Sequence, residues 1–299
     1  MKPLLSKVIF SVNVRQNHHK NYSSDSQVCS WLRQDQQNKL CQTYRDTIQY
    51  FRYFSRKNLP RSILYNVTDD LNISDSINDT SDDLSHVTTQ EVCNEDTLDM
   101  ALRYSAFSKG PNDILVLNMA SKWKPGGGVR TGKTAQEEDI FRRTNAFMTH
   151  PEQWYPLDDE SVIYSPEVHI VRDSSYNYLQ EKHCAKVSML AVHAIKNPRI
   201  MKSAFTTKYV AGEDYELMTA KIESIFKIAI LHGKRTLILG ALGCGAYNNP
   251  IDEIISIFQK AIAKYGIYFD HIGFAVLAQG TKGQENFNKF YTAFGATHG

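Results

Sequence analysis

The chain has 299 residues, 42% hydrophobic and 22% charged, enough apolar material for one large domain or a domain with an extension. Its net charge of +2, from 34 basic and 32 acidic side chains, argues against a general grip on nucleic acid, and no apolar run approaches the ~18 residues of a membrane span. Cys29, Cys41, Cys93, Cys184 and Cys244 make no CxxC pair and no zinc spacing, which suggests a reducing compartment.

Residues 1–28 read as a disordered tail. The first 24 residues hold no acid and carry Lys2, Lys7, Arg15 and Lys20, a faint likeness to an organelle transit peptide that nothing else supports. The expected location is intracellular, cytoplasmic or nuclear, and the sequons at Asn21, Asn66, Asn72 and Asn78 read as chance in an Asn/Ser-rich composition. Leu32, Leu40, Tyr44, Ile48 and Phe51 have helical spacing and predict a helix over 31–54, the start of a helical extension over 29–95. Within that extension, 66–86 is rich in Asp, Ser, Asn and Thr and reads as a flexible acidic loop. From 96 onward the elements alternate. Helices are expected at 96–107, 136–147, 214–232 and 251–264, and strands at 114–118, 167–171, 187–194, 235–239 and 272–277, the order of an α/β sandwich core.

The most informative motif follows the strand at 114–118. Pro125-Gly126-Gly127-Gly128-Val129 precedes Gln136-Glu137-Glu138, so a run without Cβ atoms lies next to paired carboxylates at a helix start. Such a loop brings N–H groups close to an anion or a sugar, and two adjacent carboxyls in one pocket raise the acidity constant of one of them, as acid catalysis on a glycosidic bond needs. Alone, each half reads as a flexible loop or a solvated first turn; together, behind a strand, they point to a site. A second glycine loop, 240–250, follows a strand and precedes a helix, where backbone amides face a pyrophosphate; Gly243, Gly245 and their neighbours would hold it. Gly127 to Thr134 also matches the Walker A spacing. That reading needs a helix from about Gly132 and an acidic magnesium partner, and it leaves Gln136-Glu137-Glu138 without a role. His183 and His193 lack a carboxylate spacing that would make them metal ligands.

The sequence GGG, seven residues, QEE resembles the signature of poly(ADP-ribose) glycohydrolases of the microbial type. Leu117-Asn118-Met119-Ala120-Ser121, Asp139-Ile140-Phe141-Arg142-Arg143-Thr144, Leu239 to Pro250, and Phe274-Ala275-Val276-Leu277 with Asn286 and Phe290 extend the likeness over about residues 30 to 299, weakest between 55 and 85. The resemblance implies a macrodomain-like three-layer α/β/α sandwich with a mixed sheet and an N-terminal helical extension, within a single domain over 29–299 whose core is 96–299. It implies hydrolysis of ribose–ribose O-glycosidic bonds, mainly from chain ends, with poly(ADP-ribose) or ADP-ribosylated proteins as substrate, ADP-ribose as product, and no cofactor or metal. The alternative is a macrodomain that binds ADP-ribose or removes a mono-ADP-ribosyl group. By the same resemblance Glu138 is the acid/base, Glu137 orients the hydroxyls at the scissile bond, Gln136 fixes the loop, and Asn118 holds the distal ribose. Gly126, Gly127, Gly128 and Val129 would line ribose and phosphate, Gly243, Cys244, Gly245 and Ala246 the two phosphates, and Tyr247 would shield the ribose end. Asp96, Arg172 and Asp173 read as caps or ion pairs, which leaves the adenine contacts unassigned.

Overall fold

A computed structural model describes residues 24–54, 59–69, 71, 73, 87–106, 113–204 and 206–295, with side chains from 32 onward. The chain divides into two compact units, 1–36 and 37–299. In the first, the described residues are the beginning of helix α1 (Ser24–Tyr50). That helix starts before the expected 31, within the segment expected as tail, because residues 24–31 contain no glycine or proline to stop it. The rest of the expected tail, and positions 70, 72 and 74–86 of the expected acidic loop, lie outside the described residues.

The second unit is built on a seven-stranded sheet in the order β1-β4-β5-β3-β8-β9-β2. Its strands are β1 (Ile63–Asn66), β2 (Thr89–Cys93), β3 (Ile114–Met119), β4 (Ser161–Ile170), β5 (Ala185–Val192), β8 (Thr236–Leu239) and β9 (His271–Ala275). β3, β8, β9, β2 and β5 run parallel, while β4 is antiparallel to both β5 and β1, so the sheet is mixed. β6 (Ile200–Lys202) and β7 (Thr207–Tyr209) form a separate hairpin. The 29–95 segment contains the expected helix, but it also supplies both edge strands of the main sheet. β1 has a half-exposed pattern with little periodicity, and Asn66 and buried Val67 replace the loop expected from 66.

Central strands read as continuous apolar runs because helices cover both of their faces. Successive residues of β3 point to opposite sides: Leu115 and Leu117 pack with α5 (Gly212–Leu231), α6 (Ile251–Tyr265) and α7 (Gly280–Phe294), while Ile114 and Val116 pack with α2 (Thr97–Ser105) and α3 (Gln136–Arg143). In α6, buried Ile251, Ile254, Ile257, Phe258, Ala261 and Tyr265 keep the i, i+3, i+4 spacing of one helical face. Each such side chain contributes about 1.5–3 kcal/mol on burial. The layers are therefore α/β/α, as expected. The helix expected over 136–147 is broken: Thr144 is extended and bridges Ile170, its hydroxyl donates to the Ile140 carbonyl at 2.8 Å and accepts from the Ala146 amide, and a short α4 (Ala146–Thr149) follows.

Candidate active site

The loops after β3 and β8 leave the carboxyl ends of adjacent parallel strands, the place where open α/β sheets bind ligands. Gln136 ties the first loop down. Its Oε1 accepts from the Met119 amide at 2.7 Å, and its Nε2 donates to the Leu117 carbonyl at 2.7 Å and to Thr97, so the start of α3 is stitched to the end of β3. That places Glu137 and Glu138 beneath the glycine run, both buried.

The two carboxylates are held differently. Glu137 accepts from the Ser121 amide (2.7 Å) and the Gly126 amide (3.2 Å), and burial, reinforced by the neighbouring Glu138 charge, pushes its carboxyl up to about 8. Glu138 Oε1 accepts from the Gly128 amide at 2.7 Å, while its Oε2, also buried, has no protein hydrogen-bond partner. Gly127 has φ +49°, and a Cβ there would lie 2.7 Å from Glu138 Oε1 and 3.1 Å from Glu137 Oε2. The anion under the triple glycine is thus the protein's own carboxylate pair. The amides of Gly127, Val129, Thr131, Gly132 and Lys133 close turns within the loop. The Walker A reading fails for the same reason, and because the helix begins at Gln136.

The second loop is the more open one. Among the described residues, the amides of Gly243, Gly245, Ala246 and Tyr247 donate to no protein acceptor, whereas those of Cys244, Asn248 and Asn249 close the loop on itself. Gly243 has φ +73°, and a Cβ there would sit 2.5 Å from Asn249 Nδ2, whose amide bonds the Ile195 and Gly243 carbonyls. Cys244 is a packed apolar residue; burial pushes its thiol up to about 12. Half-buried Tyr247 has its hydroxyl pushed up by burial and by the Glu137 charge, which brings the second loop up to the carboxylates of the first.

Residues 26–173 match the family model for microbial-type PARG, catalytic domain, PARG being poly(ADP-ribose) glycohydrolase. Residues 26–173 belong to the microbial-type PARG family. It is a family of glycosidases. Solved PARG structures share the fold: a variant from Thermomonospora curvata at 21% identity, covering 86% of this chain and 100% of that one with a TM-score of 0.67; the same enzyme with the inhibitor ADP-HPD at 23%, 84% and 99%, TM-score 0.61; and Deinococcus radiodurans PARG with ADP-ribose at 23%, 80% and 94%, TM-score 0.63. No curated protein sequence matches the chain.

In this chain the remaining expected residues fall as follows. Asn118 and Val129 are buried beside the carboxylates and in the first loop, respectively. Asp96 caps α2 and pairs with Arg143, Asp173 accepts from the Ser175 and Asn177 amides in a turn, and Arg172 bonds Thr47 and lies 3.6 Å from the Tyr178 ring centre, all structural roles. His183 is exposed, and buried His193 meets the Asp158 carbonyl and Lys221. Glu91, Cys93 and Glu95 cluster, but the Arg103 guanidinium bonds both carboxylates and supplies the cation there. Two site neighbours were not foreseen. The Tyr155 hydroxyl is buried without a partner and is pushed far up by burial and by Glu137, and buried His150 lies 3.4 Å from Asn118 Nδ2. No motif marks either, because each arrives from a turn distant in sequence.

Proposed function

We propose that the protein is an exo-acting poly(ADP-ribose) glycohydrolase that cleaves ribose–ribose O-glycosidic bonds by carboxylate acid–base catalysis. The observation that carries the reading is Glu138: one oxygen is fixed by the Gly128 amide, and the other is buried without a hydrogen-bond partner. An unsatisfied buried acceptor costs about 1–3 kcal/mol, a cost that is offset when a substrate group meets it. In the proposed reaction Glu138 Oε2 delivers the proton held by the carboxyl pair to the leaving ribose oxygen as the C–O bond breaks. It then takes a proton from the water that attacks the oxocarbenium-like carbon. Glu137, its pKa raised by burial, keeps a proton within the pair near neutral pH and orients hydroxyls at the scissile bond. Asn118 holds the distal ribose, Tyr247 shields it, and the undonated amides of Gly243, Gly245, Ala246 and Tyr247 suit the diphosphate of ADP-ribose.

The test is to incubate the purified protein with automodified polymerase and separate the products. Free ADP-ribose accumulating from the first turnovers is expected. Polymer that is bound but uncut would replace this reading with that of an ADP-ribose-binding module, and early release of long oligomers would replace terminal cleavage with internal cleavage.

A further inference from the structure

We propose that His150 is a positioning residue that fixes the side-chain amide of Asn118 in one orientation, making its carbonyl oxygen a second unsatisfied acceptor of the site besides Glu138 Oε2. The geometry decides the orientation. His150 Nδ1 lies 2.9 Å from the Ala146 carbonyl, an obligate acceptor, and 3.1 Å from the Thr149 hydroxyl, whose own hydrogen goes to that same carbonyl at 3.2 Å, so Nδ1 carries the hydrogen. The ring is buried, packed edge-on against Phe141 at 5.4 Å, and burial holds it neutral by lowering its pKa to about 4. Nε2 of a neutral imidazole protonated on Nδ1 is an acceptor only. The Asn118 group 3.4 Å from it is therefore the NH2.

The NH2 of Asn118 is then engaged within the protein, and Oδ1, fully buried, has no partner among the described residues. Glu137 alone cannot impose this, since burial raises its pKa so that it carries a proton at neutral pH and accommodates either end of the amide. His150 breaks the tie. An acceptor at this point selects a hydroxyl donor, such as a ribose hydroxyl, and rejects a phosphate oxygen.

The inference rests on the glycohydrolase reading for its kinetic arm alone; its tautomer arm is read on the intact protein whether or not polymer is cut. Nitrogen NMR of the imidazoles is expected to show His150 as the neutral Nδ1–H tautomer from pH 8 to 5. An Nε2–H tautomer, or titration near pH 6.5, overturns the proposal. His150→Leu is expected to lower kcat/KM on automodified polymerase, and to weaken ADP-ribose affinity, by about tenfold, the effect of one lost hydrogen bond. His150→Gln, which offers Oε1 to the same NH2, restores part of the loss. In an Asn118→Ala background His150→Leu is expected to have no further effect; an equal loss there makes His150 a packing residue and overturns the proposal.

Discussion

Glu137 and Glu138 are adjacent in sequence, yet the loop gives them unlike surroundings: two amides on Glu137, and a single amide on one oxygen of Glu138. The difference makes Glu138→Gln an informative change. The glutamine Oε1 keeps the bond from the Gly128 amide, so the loop and ADP-ribose affinity should survive, while the group that gives and takes a proton is gone. Polymer hydrolysis is expected to fall by about 10²–10⁴-fold with ADP-ribose affinity within threefold of the parent, checked by product release and by calorimetry. Turnover like that of the parent would remove Glu138 from the chemistry. At this scale the sequence made the carboxylates legible, because the glycine run and Gln136-Glu137-Glu138 are local features. It did not make His150 or Tyr155 legible, because they reach Asn118 and Glu137 only through tertiary packing. Nor did it show that the glycine amides serve Glu137 and Glu138 first, since a run of glycines announces close approach without saying to what.

Helix α3, which carries both carboxylates, is held from two sides. From α1, the Leu40 carbonyl accepts from Arg142, and the Thr47 hydroxyl donates to the Arg142 carbonyl at 2.6 Å. From the core side, the fully buried Arg143 guanidinium meets Asp96, Asp99 and Asp139 and donates to the Arg172 carbonyl. A planar fork with several donors is what lets one side chain join α2, α3 and β4's end. Arg143→Met leaves three carboxylates crowded without their cation, and is expected to destabilise the fold by about 3–5 kcal/mol in urea unfolding. The deficit should shrink at pH 4, where Asp96, its pKa raised first by burial, takes up a proton; a loss independent of pH would mean that packing, not charge, is what Arg143 supplies. Long periodic elements such as α6 and the apolar strands β3 and β8 were legible from pattern. The short strands β1, β2, β6 and β7 were not, since three to five half-exposed residues carry too little alternation to stand out from loop.

Over the whole molecule, the buried titratable groups set how stability follows pH. His150, His193 and His232 are all lowered to about 4, by burial first, so the unfolded chain binds a proton at each between about pH 4 and 6.5 that the folded chain refuses. Their contribution is complete above pH 6.5 and is lost as pH falls through that window. Glu137 has the opposite sign: raised to about 8, it binds a proton in the folded state that the unfolded chain gives up above about pH 4.5, so its contribution is lost as pH rises towards 8. Lys221, lowered to about 7, titrates above the acid window and does not enter it. Near pH 5.5, three histidines against one carboxyl leave a net two protons, a slope of at most about 2.7 kcal/mol per pH unit. Half-buried His232, stacked on Tyr164 at 3.8 Å, weakens this limit because solvent reaches its ring. Unfolding free energy measured by denaturant titration is therefore expected to climb steeply from pH 4.5 to 6.5 and to flatten above. Glu137→Gln removes its opposing proton, so the climb should steepen by up to about 1.4 kcal/mol per unit and the variant should be the more stable protein at pH 8. A profile flat from pH 4.5 to 6.5 would mean that the three rings reach solvent and charge freely within the fold.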